Sequence, residues 1–303
     1  MNKFQIKAFR IKNCMERENH YLEIKNHYLE NKSNIRGIIK LIILKLGGSV
    51  ITRKEADKPT INHENLKRIT REVAESTHQK LIVVHGAGSF GHPLAKNYAI
   101  GDEIQDNLDL KKKMLGFSLT QHAVKELNGI VSEYLRMHGT LSVSIQPSSF
   151  ILTKNKRIKS ADLTLIRRYL ELGFVPVIYG DVVLDADESI EMAVLSGDQI
   201  VKYLAENLKP ERVILATDVD GIYDKNPKKY PDAQLIETVS SLEQIETGEE
   251  TNIDVTGGMG GKVSELLGLL DLEIESEIIN ANKTGNIKKA LNGEKVTGTT
   301  IKR

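Results

Sequence analysis

Disulfides cannot organise this chain, because Cys14 is its single cysteine. That excludes an intrachain disulfide framework and suits a reducing compartment, so a cytoplasmic location is expected. No apolar run approaches the roughly 20 residues of a membrane span, and no membrane partner is expected. The opening stretch MNKFQIKAFRIKN has basic residues but lacks the apolar segment of a signal peptide. Neither sign of charge dominates: 42 Lys and Arg minus 41 Asp and Glu leave +1. Such a balance argues against a general nucleic-acid binder. The G-x-x-x-x-G-K-[ST] string is missing, which excludes a Walker-type nucleotide loop. HExxH and paired cysteines are missing too, so no structural zinc is expected. No stretch rich in Pro, Gly and Ser separates two independent domains.

What is present changes character at about residue 41. Residues 1–40 are rich in Lys, Asn, Glu and Arg, with HYLE at His20–Glu23 and again at His27–Glu30. They read as a weakly ordered extension without chemistry. From there on, apolar runs alternate with helical spacings. Leu41–Leu46 is a strand buried on both faces, interrupted by one lysine, Lys45, and followed by Gly47-Gly48-Ser49. Further strands are expected at Leu81–Val84, Leu141–Ile145, Phe174–Tyr179, Val213–Ala216 and Glu277–Asn280. Helices are expected over Leu66–Ser76, Asp109–Met137 (interrupted at Gly116), Ala161–Leu172 and Gln199–Asn207, and over Val263–Leu270 after a glycine-rich opening. Val182–Ile190 reads as a hairpin with an Asp-rich turn, and Gly293–Thr300 as an edge hairpin. Alternation of this kind predicts an α/β fold, a three-layer αβα sandwich with a mainly parallel central sheet. Two lobes sharing that sheet are expected, 41–180 and 181–303.

The chain is organised around Val83–His92, a strand that enters a loop with three glycines and ends at a histidine. A helix is expected from about Pro93. Strand, glycine turn and helix form an anion-holding geometry. Gly86-Ala87-Gly88-Ser89-Phe90-Gly91 also fits G-x-G-x-x-G. A dinucleotide site is not supported, because the acid expected about 20 residues on would fall at the start of a helical run. A purely structural glycine turn remains the alternative.

Lys45 and Lys262 each stand beside a glycine turn, and Asp198 opens a helix after Gly197. Two cations oriented by one carboxylate suit phosphoryl transfer, which needs positioning and positive charge more than covalent participation. A core lysine paired to a carboxylate and a helix-capping aspartate are the structural alternatives.

The ordered set Lys45–Ser49, His85–Gly88, Ser196–Asp198, Thr217–Tyr223 and Gly257–Lys262 resembles the amino acid kinase superfamily. Ile51–Lys54, Gly88–Pro93 and Val177–Val183 resemble the archaeal isopentenyl phosphate kinases within it. That resemblance implies a cytoplasmic, homodimeric transferase that uses ATP and Mg²⁺ to phosphorylate isopentenyl phosphate in isoprenoid biosynthesis. It implies phosphoryl-group contacts for Lys45 and Lys262, orientation of both by Asp198, and transition-state stabilisation by Lys54. Gly47, Gly48 and Gly88 would give backbone donors to the triphosphate beside Ser49. Thr217, Asp218, Tyr223 and Gly258 would line the nucleotide site. Ala87, His92 and Gly180 would hold the acceptor phosphate. Mg²⁺ would ride on the ATP phosphates without a carboxylate cage of its own. The alternatives are a fosfomycin-type or nucleoside monophosphate kinase, or a non-catalytic nucleotide-binding regulator.

Overall fold

The computed structural model describes residues 40–302 apart from 54–57, 79, 226, 228–229 and 242–264. The apolar run Leu41–Leu46 is β1, and it leads into a single helical turn, α1 (Gly48–Ile51). Helix α2 (His63–Ala74) follows, its first turn capped by Asn62, whose side chain accepts from the Asn65 amide. Strand β2 (Lys80–His85) runs into α3 (Gly88–Asn97), and the long α4 (Asn107–Met137) starts at an Asp106 cap. Next come β3 (Ser142–Ser144), a hairpin of β4 (Ile151–Lys154) and β5 (Arg157–Ala161), and α5 (Thr164–Leu172). Gly173, at φ 86°, ends α5 in the left-handed conformation that glycine adopts without strain.

Strand β6 (Val175–Tyr179) precedes a second hairpin, β7 (Asp181–Leu184) and β8 (Met192–Leu195). Helix α6 (Gly197–Leu208), β9 (Arg212–Thr217), β10 (Thr238–Val239), β11 (Glu275–Asn280), α7 (Asn286–Leu291) and β12 (Gly298–Ile301) complete the described elements.

Eight strands make one sheet in the order β10-β12-β11-β9-β1-β2-β6-β3. Every pairing is parallel except β11 with β12. Strand alternation sorts the core into two layers. Ile43, Ile82, Val84, Ile178 and Leu215 pack with α5 and α6 on one face. Ile42, Leu44, Leu46, Leu81, Val83 and Ala216 pack with α1, α2, α4 and α7 on the other. The same alternation decides where two polar side chains go. Lys45 shares the α6 face with Ile43, and His85 shares the α4 face with Leu81 and Val83.

Several sequence expectations need correction. Helix α3 begins at Gly88 rather than near Pro93, which lies inside it. Gly116 does not interrupt α4. It is a notch, because a Cβ there would stand 2.2 Å from Tyr98 Cβ, so only glycine lets Tyr98 pack on the helix. The hairpin after Gly180 pairs Asp181–Leu184 with Met192–Leu195, so its second strand lies beyond Ile190. The closing strand β12 is not an edge strand and α7 precedes it, so 293–300 is no edge hairpin. The extension at 1–39 and the start of the helix expected over Val263–Leu270 lie outside the described residues.

Candidate functional site

In a parallel sheet, loops converge at the carboxyl ends of the strands, and a crevice opens where neighbouring connections leave in opposite directions. Strand β1 lies between β2 and β9, so its end is such a point. Four loops begin alike. Gly47 N–H donates to Ala216 O at 2.8 Å, Gly86 N–H to Leu46 O at 3.0 Å, Gly180 N–H to His85 O at 2.9 Å, and Ala281 N–H to Thr217 O at 2.8 Å. The first amide of each loop therefore extends the ladder by one bond. At Gly47, expected as a backbone donor to the triphosphate, the amide is engaged with the sheet. The amides of Gly48, Ser49, Ala87 and Gly88 donate to no acceptor among the described residues.

The β1 and β2 loops touch backbone to backbone. A Cβ on Gly48 would stand 2.6 Å from Gly88 N and Cα, and one on Gly86 would stand 2.8 Å from Gly48 N. Gly88 holds φ +53° with Thr52 packed against it. Thr52, almost fully buried, locks the crossing: its hydroxyl donates to Gly48 O at 2.8 Å and accepts from Ser89 N at 3.1 Å. Two open-amide turns are thus held in register side by side.

Lys45 is 3% exposed, and its Nζ lies 3.0 Å from Asp198 Oδ1. The contact is an ion pair off hydrogen-bond alignment, since Oδ1 makes no well-directed bond. Asp198 sits in the first turn of α6, where the helix N-terminus favours a carboxylate, and Ser196 caps that turn through Gln199 N at 3.1 Å. Gly197 packs closely here: a Cβ on it would stand 3.4 Å from His85 O and 3.6 Å from Lys45 Cε, within van der Waals contact.

On the β6 side, Gly180 packs against Gly197 and Ala87: a Cβ there would stand 3.4 Å from Gly197 N and 3.5 Å from Ala87 N. Ala87 is the residue before α3, and His92 lies exposed in the second turn of that helix rather than at its start. Asp181, missed in the sequence, is 3% exposed and accepts from Ser148 N at 3.0 Å and Val182 N at 2.9 Å. Burial pushes its carboxyl up to about 6, against the pull of those donors.

At the end of β9, Thr217 Oγ1 bonds Val219 O at 3.0 Å and Asp218 is exposed. Tyr223 OH donates to Asp220 at 3.3 Å, and Asp220 also meets Lys283 at 2.7 Å and Asn280 at 3.0 Å. Burial works to raise the Asp220 carboxyl, but Lys283 and Asn280 outweigh it and leave it below its ordinary value. Of the expected set, the structure brings together Lys45 with Asp198, Gly48 with Gly88, and Ala87 with Gly180. Lys54, Gly258 and Lys262 lie outside the described residues. No three carboxylate, imidazole or thiol groups converge as a metal site among the described residues.

Sequence reasoning also missed Asn128 and Thr52. Asn128 had a signal: it occupies a core-facing position of α4 between Val124 and Val131, where a polar group needs a buried partner.

Comparison with known proteins agrees with this geometry. The model of the amino acid kinase family matches residues 40–280. The isopentenyl phosphate kinase of Methanothermobacter thermautotrophicus is 54% identical over 262 residues, covering 86% of this chain and 98% of the relative. That of Methanocaldococcus jannaschii is 38% identical, with 86% and 98% covered. A crystal structure of an isopentenyl phosphate kinase superposes with a TM-score of 0.79 at 50% identity, covering 86% of this chain and all of that one. Open amides at crossed glycine turns, a lysine–aspartate pair at the switch point and these relatives lead to one assignment: the chain belongs to the amino acid kinase family and, within it, to the isopentenyl phosphate kinases.

Proposed function

We propose that this chain transfers the γ-phosphoryl group of ATP to isopentenyl phosphate, giving isopentenyl diphosphate and ADP. The observation that carries the reading is the crossing of the Gly48 and Gly86–Gly88 turns beside the buried Lys45–Asp198 pair. Two phosphate-bearing substrates can meet across one line of open amides only if both turns are fixed relative to a cation. The relatives' names support isopentenyl phosphate as the acceptor.

In this reading, Gly48, Ser49 and Gly88 face the triphosphate, and Ala87, His92 and Gly180 face the acceptor phosphate. Lys45 places its ammonium where charge builds on the moving group. Because Lys45 is buried, that charge acts in a low dielectric and needs no reorganisation as the reaction proceeds. Asp198 holds the ammonium in place. Lys262 supplies a second cation, and Lys54 stabilises the transition state. The acceptor phosphate is already an anionic nucleophile, so in-line attack requires no strong general base. Thr217, Asp218, Tyr223 and Gly258 line the nucleotide, and Mg²⁺ arrives as part of the ATP complex. The enzyme works as a cytoplasmic homodimer, with residues 41–180 forming the acceptor side and 181–303 the nucleotide side.

The test is ADP release with isopentenyl phosphate, fosfomycin and UMP as rival acceptors. Turnover should be confined to isopentenyl phosphate; preference for another acceptor would displace the reading, and nucleotide binding without ADP release would favour a regulator. His92→Ala should raise the acceptor KM tenfold to about a hundredfold, as loss of a hydrogen bond to a charged group does, with little change for ATP.

A further inference from the structure

Beneath the glycine turn lies a buried polar chain that no step of the transfer touches. His85 closes β2 with its side chain fully buried on the α4 face, stacked on Tyr179 at 5.5 Å between ring centroids. Its Nε2 lies 3.1 Å from Asn128 Nδ2, and its Nδ1 lies 3.0 Å from Gly86 O. Asn128, also fully buried, accepts at Oδ1 from the Ser144 hydroxyl of β3.

Each link fixes the next. The Asn128 amino group also reaches Val177 O at 3.4 Å, a carbonyl that can only accept, so Asn128 presents its amino group to His85 and its oxygen to the Ser144 hydroxyl. An amino donor at Nε2 demands a bare lone pair there. The ring proton must then sit on Nδ1, where it donates to the Gly86 carbonyl. Burial lowers the His85 pKa to about 4, partly opposed by that carbonyl, so the ring stays neutral around pH 7.

The Gly86 carbonyl and the Ala87 amide belong to one planar trans peptide and point in opposite directions. A carbonyl drawn down to His85 turns the Ala87 N–H up, away from the ring. That N–H donates to no acceptor among the described residues, and its nitrogen faces Gly180. We propose that Ser144, Asn128 and His85 form a positioning relay that aims the Ala87 N–H at an oxygen of the acceptor phosphate. The inference rests on the acceptor role proposed above for Ala87. His85 acts through the peptide and is not itself catalytic.

Two substitutions of one side chain test it. In His85→Asn the amide nitrogen falls near the position of Nδ1 and retains a donor to Gly86. In His85→Gln the amide reaches the position of Nε2 and that donor is lost. Both remove the same ring stack, so they share any folding defect. We expect His85→Gln to raise the KM for isopentenyl phosphate about tenfold, the worth of one hydrogen bond. The KM for ATP should stay within about twofold, and His85→Asn should hold the acceptor KM near wild type. Equal acceptor KM values in the two variants, or an ATP KM that moves as far, would overturn the relay.

Wild-type ADP release with isopentenyl phosphate tests the functional reading separately, since the wild type carries the relay intact. A substrate-free measurement stands beside these. Imidazole ¹⁵N spectra near pH 7 should show His85 protonated at Nδ1 in the wild type and a mixture of tautomers in Asn128→Leu. A wild-type ring protonated at Nε2 overturns the relay whatever the enzyme turns over.

Discussion

Lys45 and Lys113 are both buried, at 3% and 1% exposure, and they are buried in opposite ways. Lys113, on α4, donates to Asp102 O and Glu103 O, each at 2.8 Å, and pairs with Asp109 at 3.1 Å. Three acceptors meet the three donors of its ammonium, and the loop between α3 and α4 is tied down by them. Lys45, at the end of β1, meets Asp198 alone among the described residues, and meets it off alignment. A saturated buried lysine is a structural tie. An unsaturated one beside open amides suits the role proposed for Lys45, a cation that meets an arriving anion. Burial alone does not distinguish the two; the count of acceptors does.

The comparison can be broken most forcefully at Lys45. Lys45→Met should lower kcat by about a thousandfold, the cost of losing a preorganised charge at the reacting group, while the thermal midpoint barely falls. Near-wild-type turnover would make Lys45 a tie like Lys113. Asp198→Asn keeps the shape and removes the charge that fixes the ammonium. A kcat loss of about tenfold to a hundredfold in steady-state assays is expected, smaller than for Lys45→Met because the cation itself remains. Lys113→Met should give the converse result. Two carbonyls lose their donor, at about 1 to 1.5 kcal/mol each, so urea titration should show about 2 to 3 kcal/mol less stability with kcat unchanged. A kcat defect in the correctly folded variant would break the distinction.

The smallest effect concerns pH. His85, lowered to about 4, stays neutral in the folded chain while the unfolded chain protonates it below 6.5, so stability is lost as pH falls through that window. Asp181, raised to about 6, holds a proton that the unfolded chain releases above 3.8, so the stability it contributes in acid is lost as pH rises. Between pH 4 and 6 the two slopes oppose. Asp181→Asn removes one of them. The stability of that variant relative to wild type should therefore rise with pH across this window, by about 1 to 2 kcal/mol. Parallel thermal profiles would show that Asp181 does not titrate as its burial implies.

The sequence made the sheet legible where strands are buried on both faces. Leu41–Leu46, Leu81–Val84, Phe174–Tyr179 and Val213–Ala216 are nearly continuous apolar runs, and nothing else in the chain looks like them. It concealed β4 and β5, because Arg157–Ala161 is a largely exposed ribbon with no apolar alternation to betray it. It concealed the start of α3 because Gly88, Gly91 and Pro93 all read as breakers. Each is explained by contact or position: Gly88 carries a positive φ, a Cβ on Gly91 would stand 2.7 Å from Val124 Cγ1, and Pro93 forfeits one helical bond to Ser89 O. Lys45 and Asp198 were legible as a pair because each neighbours a glycine turn. The relay under Gly86 was not, since nothing in the order of residues places Asn128 of a helix beneath the end of β2.

The strand order has a consequence for handling the protein outside the cell. Among the described residues the sheet ends at one side in β10, two residues long, and at the other in β3, three residues long. Each of these border strands is too short to template a further strand, and the long apolar strands are sealed in the middle. Filament-like growth by strand addition at the borders of this sheet is therefore disfavoured in the native state. Aggregation should start from chains in which β1, β2, β6 and β9 have not yet found one another. Refolding yield should accordingly depend on dilution during collapse rather than on storage concentration afterwards.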